Sequence, residues 1–234
     1  MSKLLLLKKN LALKETLSID NSTLLGIWEI EENENYFDSV YPFNFSSIKN
    51  QKLRVQKKAV RWLAKSLYPS FPLEKIKTHS GNKKPFIADT HLDFSFSHTQ
   101  YYCACILSTQ YQVSIDIEQI TQKSIRVIDK FLNEEEKKLL PLPLVEKELY
   151  ATLFWSCKEV LFKFENKKGV VWKEDMKIDN IVFQSKNKGF VNTYFGTTFY
   201  KINFKVEAEK YLYCWLISPF DKNRPPGKAS SKST

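Results

Sequence analysis

Glycine is scarce in this chain, six in 234 residues, and none stands in a G-x-G-x-x-G or G-x-x-x-x-G-K-[ST] pattern. The dinucleotide fingerprint and the nucleotide-phosphate loop are both excluded, so any phosphate must be held by side chains. The four cysteines, Cys103, Cys105, Cys157 and Cys214, form no C-x-x-C pair, and the three histidines stand at no zinc spacing. The thiols are expected to be reduced core or near-site residues, and His79 and His91 receive no role. Long apolar runs are missing as well. Residues 4–7 are all leucine, but Lys3 and Lys8 bound them, which is too short for a signal-peptide core or a membrane span. The expectation is a cytoplasmic protein with no membrane partner.

What is present suits a globular chain: 43% hydrophobic and 14% aromatic residues can build one large domain or two small packed lobes. The formal charge is +10, of which residues 221–234, with four bases and one acid, carry three units. The remaining +7 supports acidic partners in general, whether nucleic acid, an anionic membrane, a phosphorylated cofactor or an acidic protein. The tail has no apolar face to bury and is expected to be disordered.

Residues 24–30 alternate loosely and predict a strand, followed by an acidic polar stretch through Asn35. A helix is expected across residues 52–67, where Leu53, Ala59, Val60, Leu63, Ala64 and Leu67 make an apolar stripe. Arg54, Lys57, Lys58, Arg61 and Lys65 cover much of the rest, as a solvated face or as a phosphate-binding one. A turn at residues 81–85 should open a short strand near Phe86 and Ile87, followed by strands at 92–98 and 102–107. Beyond the strand around Asp116, helical segments are expected at 124–132 and 133–140, then a break at Pro141 and Pro143. A long helix over 146–164 and several antiparallel strands over 178–217 complete the pattern. Each half thus runs from a strand ending in acids (Glu29, Glu31; Asp116, Glu118) through a basic helix to strands, which suggests a duplicated lobe.

The chemistry is concentrated in two runs about forty residues apart. In Val113-Ser-Ile-Asp-Ile-Glu118 the strand period of two puts Asp116 and Glu118 on one face and Ile115 and Ile117 on the other. Two carboxylates on one patch repel unless a proton or cation sits between them, and a hard divalent ion is the commonest solution. In Trp155-Ser-Cys-Lys-Glu-Val-Leu-Phe-Lys163 the helical period sets Glu159 and Lys163 one turn apart. An ordinary solvent-facing strand edge and a helical ion pair are the bland readings of the same residues. Phosphates could be held by Arg54, Lys57, Lys58, Arg61, Lys83, Lys84, His98, Lys158 and Lys163. A triad of Ser97, His98 and Asp116 is disfavoured, because adjacent residues of a strand point to opposite faces.

Taken in order, Ser114-Ile-Asp-Ile-Glu118 and the run from Trp155 to Lys163 resemble the two signature motifs of the 4'-phosphopantetheinyl transferases of the larger, monomeric type. Phe94-Ser-Phe-Ser-His-Thr99 looks like that family's third motif. The resemblance implies an α/β (α+β), pseudo-symmetric fold of two lobes, each a small mainly antiparallel sheet packed with helices. The lobes are expected at residues 1–112 and 113–220, with the basic tail at 221–234. It implies transfer of the 4'-phosphopantetheine arm of coenzyme A to a serine of an acidic apo acyl or peptidyl carrier protein, releasing adenosine 3',5'-bisphosphate, as a holo-[acyl-carrier-protein] synthase does. Mg2+ is implied as cofactor, on Asp116, Glu118 and Glu159. Coenzyme A is implied on Arg54, Lys84, Ser97, His98 and Lys163, with Lys158 and Trp155 at motif positions flanking the site and Lys158 counted among the ligands. Glu159, Lys163 and His98 are the implied catalytic groups. The chain departs from the family pattern at Ser114, usually glycine, and at Ser95, usually asparagine. A Mg2+-dependent nuclease or phosphodiesterase remains the alternative, and a non-catalytic nucleic-acid-binding module a third reading.

Overall fold

The structure, a computed structural model, describes residues 13–78, 84–208 and 210–220; the leucine run, His79, residues 81–83 of the turn expected at 81–85, Lys83 among them, and the tail lie outside them. The first lobe opens with a hairpin of β1 (Leu13–Asp20) and β2 (Thr23–Glu29), whose tight turn is fixed by the Ser22 N–H donating to the Asp20 carboxylate at 2.7 Å. Two helices follow, α1 (Glu34–Val40) and α2 (Gln51–Leu67). Each is started by an asparagine cap: the Asn33 side chain accepts from the Tyr36 N–H and the Asn50 side chain from the Leu53 N–H. A second hairpin, β3 (Asp93–His98) and β4 (Tyr102–Ser108), completes a four-stranded antiparallel sheet in the order β1-β2-β4-β3.

The α2 stripe of Ala59, Val60, Leu63 and Ala64 is buried on this sheet. Gly26 of β2 permits the close approach, since a Cβ there would lie 2.9–3.0 Å from the Leu63 and Leu67 side chains. The period of two sends Leu25, Ile27, Ala104 and Ile106 to the opposite face of the sheet. There they meet Val113, Ile115, Ile117, Tyr211 and Tyr213 of the second lobe in one fully shared core.

The second lobe begins with β5 (Tyr111–Gln119) and passes through three single-turn helices, α3 (Lys123–Arg126), α4 (Ile128–Phe131) and α5 (Glu134–Lys137). It continues through the long α6 (Leu144–Glu165) and the short α7 (Trp172–Asp175). The strands β6 (Met176–Ser185), β7 (Lys188–Phe195), β8 (Thr198–Glu207) and β9 (Tyr211–Pro219) then form a meander, giving a five-stranded antiparallel sheet in the order β5-β9-β8-β7-β6. Pro143, which cannot donate a backbone hydrogen bond, stands at the start of α6, and Asn166 in the left-handed region (φ 51°) ends it. Leu153, Phe154, Cys157, Val160, Leu161 and Phe164 of α6 are buried in the lobe's core. Burying side chains of this size stabilises by about 1.5–3 kcal/mol each. Ser114 serves this packing, because its Oγ–H donates to the Val160 carbonyl at 2.9 Å across the α6–β5 contact.

The expected α+β architecture of two lobes, each an antiparallel sheet with helices, is what the chain forms. Four local features differ from expectation. Strand β1 and helix α7 were not foreseen, α1 occupies part of the acidic stretch, and Phe86 makes an isolated bridge with Lys77 in place of a short strand. No helix among the described residues is long and apolar enough to cross a membrane.

Candidate active site

Two cavities meet at His98, where the end of β3 faces β5 and α6. The larger, of about 780 Å3, is bounded by Gln56, Thr99, Glu118, Lys123, Phe131, Trp155 and Trp172 among others. The smaller, of about 230 Å3, is bounded by Lys57, Arg61, Phe96, Ser97 and Lys163. His98 lines both, so the two adjoin there, and together they are called the cleft, with an aromatic and acidic end and a basic end.

The acidic end follows from the strand period. Ile115 and Ile117 are buried in the core shared by the lobes, which turns Asp116 and Glu118 the other way, toward α6 and β3. Asp116 is 3% exposed, and its Oδ1 accepts from Ser97 Oγ–H and from the Lys163 ammonium, each at 2.7 Å. Its Oδ2 is buried without a hydrogen-bond partner among the described residues. Glu118 accepts from the Trp155 indole N–H at 3.0 Å. Burial first, and then the Asp116 charge, push the Glu118 carboxyl up to about 7. One turn of α6 brings Glu159 to 4.0 Å from Lys163. Burial alone pulls the Lys163 ammonium down, but the Asp116 and Glu159 charges outweigh it and leave the group raised.

Among the described residues no group of three or more His, Cys, Asp or Glu side chains is drawn together tightly enough to hold a metal ion. The physical reason is visible at Asp116, where Lys163 supplies the positive charge, while Trp155 holds one Glu118 oxygen. The donor chemistry nonetheless fits a hard divalent cation. A buried carboxylate oxygen lacks a partner and a second carboxyl is pushed toward neutrality, and a cation relieves both conditions.

The basic end comes from α2, whose cations divide by helical period. Lys57 and Arg61, four residues apart, face the cleft, and no carboxylate figures in the environment of either among the described residues. Arg61 is packed over the rings of Phe45 (4.7 Å) and Phe96 (5.7 Å), and burial draws its guanidinium down to about 10, so it remains charged at neutral pH. Burial, and then Lys57 and Lys163, depress His98 to about 4. A neutral imidazole among cations is what an anion site offers before its anion arrives.

Four bases expected near phosphate lie elsewhere. Arg54 makes a two-pronged ion pair with Glu34 of α1 (2.7 and 2.9 Å) and donates to the Ile48 and Lys49 carbonyls. Lys58 joins the same cluster through Glu34 and Asp38. The Lys84 ammonium is spent on Asp93 (2.8 Å) and the Val113 carbonyl (2.8 Å), which ties β3 to β5. Lys158 is 1% exposed and enclosed behind the aromatic wall of the larger cavity, where its ammonium donates to the Phe131 carbonyl at 2.7 Å. Ser97, His98, Lys163, Asp116, Glu118 and Glu159 are brought together as expected. Phe131, Trp172 and Lys123, in single-turn helices without a periodic signal, and Gln56, an uncharged residue of α2, also line the larger cavity and carried no mark in the sequence.

Residues 112–216, from the second residue of β5 into β9, match the model of the 4'-phosphopantetheinyl transferase superfamily. The match contains the acid strand and all of α6 and stops short of the first lobe. The two-lobe α+β architecture is consistent with the fold of that superfamily. No curated protein matches the chain.

Proposed function

We propose that the protein transfers the 4'-phosphopantetheine arm of coenzyme A to a serine hydroxyl of an apo acyl or peptidyl carrier protein, as the larger, monomeric members of the superfamily do, releasing adenosine 3',5'-bisphosphate. One observation carries the reading: Glu118 of the matched segment lines the larger cavity, and past His98 the first lobe, outside the match, supplies Lys57 and Arg61, neither paired with a carboxylate among the described residues. A site that sets a buried and a half-buried carboxylate beside bases without a carboxylate partner among the described residues suits a phosphate-rich ligand with a divalent cation. Asp116, Glu118 and Glu159 would hold Mg2+, which when bound supplies neutralising charge at the pyrophosphate.

The remaining roles belong to the chain. Lys163 and His98 donate to pyrophosphate oxygens, the imidazole as a neutral donor, and Lys57 and Arg61 hold the phosphates at the nucleotide end. Ser97 keeps Asp116 in place through its 2.7 Å bond. Attack of the serine oxygen on the pantetheine-bearing phosphorus breaks the phosphoanhydride bond, and the serine proton passes to the Glu159 carboxylate beside Lys163. The basic body, +7 without the tail, steers an acidic carrier protein to the cleft. The nuclease alternative gains no support from the fold or from the superfamily match.

The test is intact-mass spectrometry of an apo carrier protein incubated with this protein, coenzyme A and Mg2+. A gain of one phosphopantetheine unit is expected, and no gain across a panel of acyl and peptidyl carriers would sink the reading. The division of α2 makes a sharper forecast for coenzyme A. Lys57→Ala and Arg61→Ala should each raise its KM about tenfold at nearly constant kcat, the loss of one charge-assisted hydrogen bond. Arg54→Ala should leave KM alone and lower the melting temperature. Equal KM effects at positions 54 and 61 would show that α2 presents a different face.

A further inference from the structure

Lys158 is a cation with no route to the cleft. Its side chain is 1% exposed and that of its partner Glu136 is fully enclosed, with the closest N–O distance 2.7 Å. The ammonium also donates to the carbonyls of Phe131 (2.7 Å), Met176 (2.9 Å) and Trp172 (3.1 Å). Glu136 is equally engaged: Oε2 accepts from the Asn133 N–H as half of a capping box, and Oε1 accepts from the Ile178 N–H, each at 2.8 Å. The pair therefore fastens α4, α5, α7 and the start of β6 to one point on α6.

Two of the captured carbonyls belong to residues whose rings wall the larger cavity, Phe131 and Trp172. Both rings pack on Trp155, at 5.2 Å edge-on and at 5.0 Å, and the Trp155 indole is the group that donates to Glu118. A buried ion pair seldom adds stability over a well-packed apolar pair, so its value here lies in geometry. We propose that Lys158 and Glu136 form a positioning unit: by fixing the Phe131 and Trp172 backbones they hold the aromatic wall in place, and with it the Trp155 indole on Glu118. The kinetic consequence rests on the transferase reading, but the placement of the indole does not.

The experiment compares wild type with the Lys158→Met/Glu136→Leu double variant, which exchanges the ion pair for an apolar one. Three quantities are read: thermal unfolding, the Trp155 indole N–H resonance assigned with Trp155→Phe, and the kcat and KM of transfer. The double variant should unfold cooperatively, shift or broaden the Trp155 indole signal, and lose at least about tenfold in kcat with KM for coenzyme A little changed, as when a supporting shell is removed. An indole signal and kcat that both stay at wild-type values overturn the proposal, as does a rise in KM alone with the indole unmoved, which would make Lys158 a phosphate ligand. Should the double variant fail to fold, Glu136→Gln, close to isosteric, decides by the same indole signal, displaced if the pair positions the wall and unmoved if it does not. If the wild type transfers nothing to any carrier, the transferase reading falls while the indole result still judges the positioning.

Discussion

Asp116→Asn should reduce phosphopantetheine transfer by on the order of 10²–10³-fold, the usual cost of removing one preorganised electrostatic group from a reaction centre. The substitution is nearly isosteric, so an asparagine oxygen in the Oδ1 position can still accept from Ser97 and Lys163, which now sit 2.7 Å away. What disappears is the negative charge, together with the unpartnered Oδ2 that would otherwise face a cation. Breaking a buried ion pair by removing one partner costs about 3–5 kcal/mol when both ions are fully enclosed. The cost here should fall below that range, since the Lys163 side chain is 14% exposed and Glu159 stands 4.0 Å from its ammonium. The variant is therefore expected to melt cooperatively at a lower temperature yet remain folded where transfer is assayed. Initial rates by intact mass, paired with a thermal melt, check both statements. A rate within threefold of wild type would remove the acid strand from the reaction, whatever the melt shows.

The acid strand and the α6 run could be found without coordinates because their information is local. Alternation in 113–118 is enough to put Asp116 and Glu118 on one face, and a spacing of four is enough to stack Glu159 against Lys163. What could not be read concerns lysines and arginines, where the sequence shows a charge but not its partner. Arg54 and Lys58 differ from Lys57 and Arg61 only by their angle on α2, and that angle acquires meaning through Glu34 and Asp38 on α1. That helix was hidden in a stretch whose acids look like a solvated loop. Lys84 and Lys158 are satisfied by Asp93 and Glu136, at sequence separations of 9 and 22, and by carbonyls that no pattern announces. Strand β1 escaped for a different reason. It is an edge strand with its second half exposed, and its tie to the other lobe runs through Glu15 to Lys205 and the Tyr213 hydroxyl, far along the chain.

The second large effect is a dependence of stability on pH and Mg2+ that originates at Glu118. In the unfolded chain this carboxyl titrates near its ordinary value of 4.5, whereas burial and the Asp116 charge hold it at about 7 in the fold. Between those values the native protein keeps a proton that the unfolded chain has lost. Stability must then fall as pH rises from about 4.5 to about 7, by roughly 3 kcal/mol in all, and level off above. His98 works in the opposite sense. Its folded value of about 4 lies below its ordinary 6.5, so it contributes stability that is present above 6.5 and lost as pH falls toward 4. The two slopes overlap and oppose each other between about 4.5 and 6.5, which leaves the wild-type curve nearly flat there and hides both. The difference between wild type and Glu118→Gln isolates the carboxylate, and urea unfolding at pH 5 to 8 should show Glu118→Gln progressively the more stable as pH rises. A divalent cation competes with that proton for the Asp116–Glu118 pair. Millimolar Mg2+ should therefore stabilise the wild type little at pH 5 and fully above pH 7, and should do much less for Glu118→Gln at any pH. Stabilisation by Mg2+ that ignores both pH and the Glu118 substitution would place the cation somewhere other than the acid strand.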